Sequence, residues 1–235
     1  MTSSRSGPAV ASVLDLVSTV AIVITCGFLV WFLFTASQRA SAPKREVRLL
    51  TDPVDVSDSP HLGDSSVGNV LLVYSDFVCP FCARFGQNNL PVLRQEYVTP
   101  GRLQIVFRNL PLTTIHPTAT KAAVAAECAA KFGHFWEMHD QLFSHQSEFD
   151  ETHFAQWTGH IGLTEAQYQS CSEPALAKEI TARIDADSSE AKSMGINSTP
   201  SFVFGRRQAD GRVHLVKALQ VGADRLPDEL NRLMR

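Results

Sequence analysis

Two cysteines three positions apart, Cys79 and Cys82, constrain this chain more than any other feature of its 235 residues. They enclose a proline and a phenylalanine, and they follow an apolar run, Val70–Tyr74, that predicts a buried strand. Such a pair has three interpretations: a redox-active dithiol, one half of a metal site, or coincidence.

The residues after the strand favour the redox interpretation. Pro80 suits the first turn of a helix, because its missing N–H would have no partner there. Cys79 then stands at the helix N-terminus, where free N–H groups and the helix dipole stabilise a thiolate. Cys82 lies one turn further on, so the two sulfurs are placed to form a disulfide and to exchange it with other thiols.

The metal interpretation lacks ligands. A zinc site needs two more nitrogen or sulfur ligands, and the sequence has no second CxxC. Cys128 and Cys171 are single, and His134 and His139 are five residues apart. We therefore predict no metal and no cofactor other than the Cys79–Cys82 pair itself. The net charge of -3 argues against nucleic-acid binding.

The N-terminal region contains 19 residues without a charge, Leu16–Phe34. As a helix this run is roughly 28 Å long, close to the hydrocarbon thickness of a bilayer. We interpret residues 16–36 as an uncleaved transmembrane anchor that follows a tail of residues 1–15. A cleaved signal peptide is the alternative, because "ASA" at Ala40–Ala42 resembles a cleavage site, although Pro43 follows it.

The charges around this span conflict with the cysteine chemistry. Arg5 precedes the span, and Arg39, Lys44, Arg45 and Arg48 follow it. The positive-inside tendency therefore favours a cytoplasmic C-terminal side. A stable disulfide chemistry instead favours an oxidising compartment outside the cytoplasm.

The rest of the chain predicts a tether followed by one α/β domain. Residues 37–68 are rich in Ser, Pro and Asp and are predicted to be a tether, with a short strand at Val47–Leu50. Residues 69–235 predict strand, helix and strand, then helices over about 117–195, then two strands and a last helix. The first of these helices is predicted over Pro80–Tyr97, kinked or ended by Pro91.

A second informative site is Thr199–Pro200, which directly precedes the predicted strand Ser201–Gly205. A proline at this position commonly does no more than open a strand. A cis peptide bond would instead point the Thr199 backbone at the Cys79 sulfur and offer an edge to an extended peptide. The residues alone favour the first interpretation.

Four separated motifs occur together in a familiar order: "YSDFVCPFC", "HP" at His116–Pro117, "FWEMHDQLF" and "STPSFVFG". In these motifs the chain resembles the DsbA-type thioredoxin-fold thiol–disulfide oxidoreductases, specifically their membrane-anchored bacterial branch. The resemblance covers about residues 60–235. It implies an α/β thioredoxin fold (βαβ + ββα) with a large α-helical insertion, preceded by one N-terminal transmembrane helix.

The resemblance also implies roles for individual residues. It implies Cys79 as the attacking thiolate, Cys82 as its disulfide partner and Pro200 as a cis proline that faces them. Pro80, Phe81 and Thr199 are implied to tune the cysteines or to contact the substrate.

The chain departs from the family pattern at two positions. Phe81 stands where the strongest oxidants of the family have His, which leaves the oxidising power open. Val73 stands where many relatives have a buried Glu. The nearby Asp76 is interpreted as a turn or cap acid rather than a proton shuttle.

Some relatives carry a second disulfide, and the resemblance implies a structural bridge between Cys128 and Cys171; two separate buried thiols are the alternative. Cys26 is interpreted as a small apolar residue of the anchor. Seven aromatic residues are predicted to form the core of the helical insertion: Phe132, Phe135, Trp136, Phe143, Phe149, Phe154 and Trp157.

These implications add up to a membrane-tethered dithiol oxidase whose catalytic domain lies on the extracytoplasmic side. Its substrates would be reduced exported proteins, and a quinone-linked membrane protein of the DsbB or VKOR type would reoxidise it. Two alternatives stay open: a disulfide isomerase or reductase on the same fold, and a non-catalytic thioredoxin-like adaptor.

Overall fold

The computed structural model describes the backbone of residues 8–40 and 47–235, and the side chains of these residues except 8–17, 36–40 and 151. Residues 1–45 and 46–235 form two separate compact units. The first unit contains helix α1, Pro8–Ala40. Its segment Ser18–Thr35 has a mean hydropathy of 2.1, and by length and composition it is able to cross a membrane.

The second unit is built on a five-stranded sheet in the order β1-β3-β2-β4-β5. The central pair β2–β3 is parallel, and the other three pairs are antiparallel. The strands are β1 His61–Leu62, β2 Asn69–Ser75, β3 Gln104–Asn109, β4 Ser201–Arg207 and β5 Val213–Leu219. The predicted thioredoxin-type α/β fold is therefore confirmed.

Strand β2 lies in the middle of the sheet because both of its faces are apolar. Leu71 and Val73 pack into the core on one face, and Val70, Leu72 and Tyr74 pack into a second core on the other. A strand buried on both faces reads as a continuous apolar run, as the sequence indicated.

The CxxC helix, defined here as residues 80–98, connects β2 to β3. It consists of α2 Pro80–Arg84, a π-helical turn Phe85–Asn89, α3 Leu90–Leu93 and a second π-helical turn Arg94–Val98. Of the two predicted effects of Pro91, a kink or an end of the helix, the end does not occur, because helical residues continue to Val98. The preceding turn is wide, with the Leu90 N–H bonded to the Phe85 carbonyl, and Pro91 lies in the first turn of α3, where its missing N–H costs little.

Five helices are inserted between β3 and β4, and they form the predicted insertion. They are α4 Ala119–Lys131, α5 Phe135–Ser144, α6 Glu151–His160, α7 Glu165–Ser170 and α8 Pro174–Ser193. A 3₁₀ turn, Ala223–Arg225, and helix α9, Leu226–Leu233, follow β5. Of the seven aromatic residues predicted for the insertion core, four are buried, and Phe132, Trp136 and Phe149 are partly buried against the same clusters.

A disulfide joins Cys128 of α4 to Cys171, the residue after α7, across a sequence separation of 43. Both half-cystines pack with Ala123, Ile180 and Ile184 in a small apolar cluster. By loop-closure entropy a bridge of this span stabilises the fold by about 4 kcal/mol.

The segment of residues 47–68, predicted as part of the tether, instead lies on the folded unit. The Arg48 N–H donates to the Met194 carbonyl, and Val54 forms a β-bridge with Val213. Val56 is buried in the sheet core. The short strand of this segment is β1 rather than the predicted Val47–Leu50. β1 forms where the chain passes along the edge of β3 and pairs with backbone groups that β2, on the other side of β3, does not bind. Residues 41–46 of the predicted tether lie outside the described residues.

A buried ion pair fastens the insertion to the sheet. Arg108 of β3 donates to the Asp187 carboxylate of α8 over 2.9 Å, and both side chains are at most 3% exposed. The other Asp187 oxygen accepts from the Asn109 backbone N–H, also at 2.9 Å. Glu190, one turn further along α8, contacts the same guanidinium at 3.3 Å.

We predict that Asp187→Ala lowers the free energy of unfolding by about 3–5 kcal/mol, because it removes the closer carboxylate and leaves the buried Arg108 charge with only the longer contact to Glu190. The matched control is Glu179→Ala on the same helix, which removes an exposed ion pair with Lys131; the Glu179 side chain is 63% exposed. This change should lower the free energy of unfolding by about 0–1 kcal/mol. Denaturant titration of the full chain in detergent measures both changes. Equal losses for the two variants would contradict the structural role of the buried pair.

Candidate active site

The cysteine pair lies at the point where β2 passes into the CxxC helix. Cys79 is the N-cap residue of α2, with an extended backbone (φ -70°, ψ 122°), and Pro80 occupies the first turn. The Cys79 carbonyl accepts the first helical hydrogen bonds, from the N–H groups of Cys82 and Ala83 at 3.1 Å. The free N–H groups of the first turn therefore surround the Cys79 sulfur, as the sequence predicted.

The two thiols form no disulfide in this structure, and their surroundings shift their pKa values in opposite directions. A hydrogen bond from the Cys82 thiol is the largest of the effects that lower the pKa of Cys79 to about 5. Burial opposes this shift, while the Thr199 side chain and the N–H groups of Cys82 and Phe81 support it. Burial raises the pKa of Cys82 well above its ordinary value, and the neighbouring Cys79 adds to this effect. Cys79 is thus the thiolate at neutral pH, and Cys82 is the protonated partner.

The residue pair Thr199–Pro200 closes the site from the opposite side, 120 positions along the chain. The peptide bond between them is cis. The Thr199 carbonyl oxygen lies 3.4 Å from the Cys79 sulfur and accepts from its thiol in the protonated form. The structure thus brings together the six residues singled out in the sequence for this site: Cys79, Pro80, Phe81, Cys82, Thr199 and Pro200. Cys128 and Cys171 belong to a separate cluster.

A groove runs beside the pair, with a volume of about 510 Å³. The cis proline, Phe81 and Phe85 line it, together with Asn89 and Val221. Phe81 is 61% exposed, which is unusual for a large aromatic ring. The groove therefore presents an apolar surface next to the reactive sulfur.

Asp76 anchors the loop that carries the cysteines. One carboxylate oxygen accepts from the Val78 N–H at 2.8 Å. The other accepts from the Leu112 N–H and from the His116 ring, each at 2.8 Å. Asp76 is therefore a turn acid, as interpreted from the sequence, and it also ties the cysteine loop to the segment that enters the insertion.

Gln146 is a site residue that sequence reasoning missed. Its side-chain N–H₂ donates to the Phe77 carbonyl at 2.7 Å and to the Cys79 carbonyl at 3.0 Å. It comes from the segment after α5, 67 residues from Cys79, and its neighbours in the sequence carry no signal of this contact. The helical insertion thereby holds the N-cap of the CxxC helix in place.

Among the residues that the structure describes, no three His, Cys, Asp or Glu side chains are grouped to hold a metal ion. The reactive groups described at this site are its two sulfurs, and the surrounding hydrogen bonds shift their pKa values.

We predict that thiolate absorbance of the reduced protein rises with a midpoint near pH 5, and that Cys82→Ala moves this midpoint upward by removing the largest stabilising hydrogen bond. Because the folded-state pKa lies below the ordinary value of 9.0, the thiolate contributes its full stability above about pH 9 and loses it as the pH falls toward 5. The oxidised protein is the control, since its Cys79 has no proton to titrate. A midpoint near 9 in the reduced protein would contradict this prediction.

Comparison with known proteins agrees with this geometry. The sequence profile of the family described as Thioredoxin matches residues 55–219. The Na(+)/H(+) antiporter NhaA 3 of Salinispora tropica is 34% identical over 219 residues, which cover 88% of this chain and 32% of the antiporter. The chain thus spans about a third of the length of the curated relatives that it matches.

Solved structures share the fold. BdbD from Bacillus subtilis superposes with a TM-score of 0.63 at 18% identity, covering 81% of this chain and 99% of BdbD. A thioredoxin-like oxidoreductase from Silicibacter pomeroyi DSS-3 has a TM-score of 0.59 at 26% identity, covering 75% and 92% of the two chains. The chain belongs to the thioredoxin family, and it shares its fold with BdbD.

Proposed function

We propose that this protein is a membrane-tethered thiol–disulfide oxidoreductase that introduces disulfides into exported proteins through Cys79 and Cys82. The observation that carries the proposal is that the two thiol pKa values shift in opposite directions. The pKa of Cys79, at the helix N-terminus, is lowered, and the pKa of Cys82, one turn further along, is raised. A dithiol that forms mixed disulfides needs this asymmetry, with a good leaving sulfur outside and a protected thiol inside.

The exchange proceeds in two steps. A substrate thiolate attacks the Cys79 sulfur of the Cys79–Cys82 disulfide, which forms a mixed disulfide and releases Cys82, and Cys82 takes up a proton. A second substrate thiolate then attacks the substrate sulfur of the mixed disulfide. The substrate leaves with its new disulfide, and Cys79 leaves as a thiolate that needs no proton at neutral pH.

The stabilised thiolate also supports the direction of transfer. Anything that stabilises the reduced form of the pair makes its disulfide a stronger oxidant. Phe81 contributes no side-chain hydrogen bond to the sulfur, whereas Cys82, Thr199 and the backbone N–H groups all stabilise the thiolate. The lack of a histidine at position 81 therefore leaves several stabilising contacts in place.

The groove beside Pro200 supports a polypeptide substrate. An extended segment that lies along Phe81 and Phe85 would bury apolar side chains while its own cysteine faces Cys79. A small-molecule thiol would need no groove of this volume.

Helix α1 supports the membrane tether. The match to the NhaA 3 antiporter covers a larger share of this chain than residues 46–235 make up, so it extends into the first unit. In that relative the matched region is part of a protein named as an ion antiporter, which works in a membrane. We propose that α1 is an anchor rather than a cleaved signal, with residues 46–235 on the extracytoplasmic side.

Each turnover leaves the pair reduced, so the cycle needs an oxidant. We propose a quinone-linked membrane protein of the DsbB or VKOR type in this role, since a tether keeps the domain close to such a partner. The same Cys79 sulfur that receives substrate would form the mixed disulfide with the reoxidising protein.

We predict that the oxidised full chain in detergent transfers its disulfide to a reduced, unfolded two-cysteine protein. Cys79→Ser should abolish transfer. Cys82→Ser, mixed with the oxidised form of the same two-cysteine protein, should accumulate a mixed disulfide, because Cys79 opens the substrate disulfide and no second thiol resolves the product; non-reducing electrophoresis detects it. The reduction potential of the pair should lie between about -120 and -180 mV, nearer to strong oxidants than to thioredoxin at about -270 mV. A potential near -270 mV would favour the reductase alternative, and the absence of any exchange with small thiols would favour an adaptor.

Topology is tested separately in intact cells that express the chain. We predict that a membrane-impermeant maleimide labels Cys79 after a membrane-impermeant reductant has opened the Cys79–Cys82 disulfide, because the reactive thiolate lies outside the membrane, and that the labelled chain stays in the membrane fraction at its full length. Cys79→Ser is the control for the labelled site. Labelling only after cell lysis would contradict the proposed orientation, and a shortened chain in the soluble fraction would favour a cleaved signal.

A further inference from the structure

A buried histidine that the exchange steps above do not use lies below the CxxC helix. His139 belongs to the motif "FWEMHDQLF" on α5, and its side chain is 3% exposed. The rings of Phe77, Phe107 and Phe143 surround it, with centroids 6.0, 5.8 and 4.8 Å from that of the imidazole. An imidazole loses hydration at such a site, so packing alone would be served better by a hydrocarbon side chain.

Hydrogen bonding assigns different roles to the two ring nitrogens of His139. Nδ1 lies 2.8 Å from the Asp140 carboxylate and donates to it, because a carboxylate only accepts. Nε2 therefore carries the lone pair of a neutral imidazole. Burial lowers the pKa of His139, and the contact with Asp140 opposes this effect. At neutral pH the ring is thus a proton acceptor whose charged form Asp140 would stabilise.

The imidazole touches the CxxC helix about one turn below Cys82. Gly86 stands four residues after Cys82, on the same side of the helix. A methyl group at Gly86 would lie 3.3 Å from the imidazole Cε1, and 3.0 Å from the Phe143 ring. Glycine at this position therefore allows the ring to approach the helix backbone closely.

A small cavity lies between the imidazole and Ser75, the last residue of β2. Eight residues line it, and three of them carry a polar side-chain atom: Ser75, Trp136 and His139. The Trp136 N–H already donates to the His61 carbonyl at 2.9 Å. The cavity leaves about 10 Å³ for the centre of a water molecule, which is room for one. Hydrogen bonding from the Ser75 side chain lowers the pKa of Cys82, against the larger raising effects of burial and Cys79, so Ser75 favours the Cys82 thiolate.

We propose that His139 is the proton acceptor for Cys82, reached through the Ser75 hydroxyl and one water in this cavity. The inference rests on the proposed exchange through Cys79 and Cys82. It makes His139 a positioning residue of the relay, since the ring itself does not touch the reacting sulfurs.

The proton moves when Cys82 resolves a mixed disulfide. The Cys82 sulfur attacks the Cys79 sulfur, the new Cys79–Cys82 bond forms, and the partner sulfur leaves as a thiolate. The Cys82 proton passes to the Ser75 oxygen, and the Ser75 proton passes through the water to Nε2 of His139. In the opposite direction, when a substrate thiolate opens the disulfide, the imidazolium returns the proton to the departing Cys82.

The surroundings give this relay one route. Among the described residues, Asp140 is the charged group that shifts the protonation of His139. The elements packed against the ring present Phe77 after β2, Phe107 from β3 and Gly86 from the CxxC helix, none of which titrates. Cys82 is therefore the titratable group that Ser75 links to the imidazole.

The test measures how fast Cys82 resolves a mixed disulfide. Thionitrobenzoate is attached to Cys79 of the reduced full chain in detergent, and its release is followed by stopped-flow absorbance as a function of pH. We expect His139→Phe to slow the release about 100-fold at pH 7. The difference should shrink as the pH rises, because hydroxide then removes the Cys82 proton directly. Ser75→Ala should give a similar loss, and the double variant should be no slower than the slower single variant.

The matched control is His145→Phe, which changes a half-buried histidine of the same insertion that stacks on Trp157; its release should match the wild type. His139→Gln is the second variant in case His139→Phe folds poorly, and the Cys79 titration midpoint reports that the site is intact. Release within about twofold of the wild type at pH 7, or a loss that is equal at every pH, overturns the relay. Failure to oxidise an unfolded protein, with release that still depends on His139, would overturn the proposed function and leave the relay standing.

Discussion

The hydrogen bond that the Cys82 thiol donates to the Cys79 sulfur is the interaction on which the rest of this site depends. It is the largest of the effects that hold Cys79 as a thiolate, and it requires Cys82 to keep its proton. Cys82 keeps that proton because it is fully buried, so its own charged form would be poorly solvated. The two opposite pKa shifts therefore have one common cause, the burial of the inner sulfur.

The helical insertion takes part in this arrangement. Gln146 binds the carbonyl groups on both sides of the cysteine loop, and Asp76 joins the same loop to the segment before α4 through His116. The insertion also supplies the aromatic floor below Cys82 and the imidazole of His139. A bare strand–helix–strand unit would carry the CxxC motif, but it would lack the contacts that bury its inner sulfur.

The buried ion pair between Arg108 and Asp187 has a structural role away from the cysteines. It fixes α8 against the sheet face opposite the cysteines, where Tyr74 and Glu190 also meet. An apolar contact there would hold the helix with similar strength but with less definite register, since hydrophobic packing is not directional. We infer that the ion pair sets the position of the insertion, while the apolar clusters supply most of its stability.

The sequence by itself determined the local features of this protein. The apolar run of β2, the proline after Cys79 and the three-residue spacing of the cysteines predict a thiolate at a helix N-terminus, because each acts over a few neighbouring residues. Local patterns left open whether Pro91 ends the helix, and a wide π turn carries the helix past it. They also predicted a tether over residues 47–68, because few of those residues are apolar. Only the tertiary structure decided the contacts between distant residues: Thr199 beside Cys79, Gln146 on the cysteine loop and His139 beside the Ser75 cavity. These contacts depend on how the sheet and the insertion pack, and the spacing of residues in the sequence does not determine distances across a core.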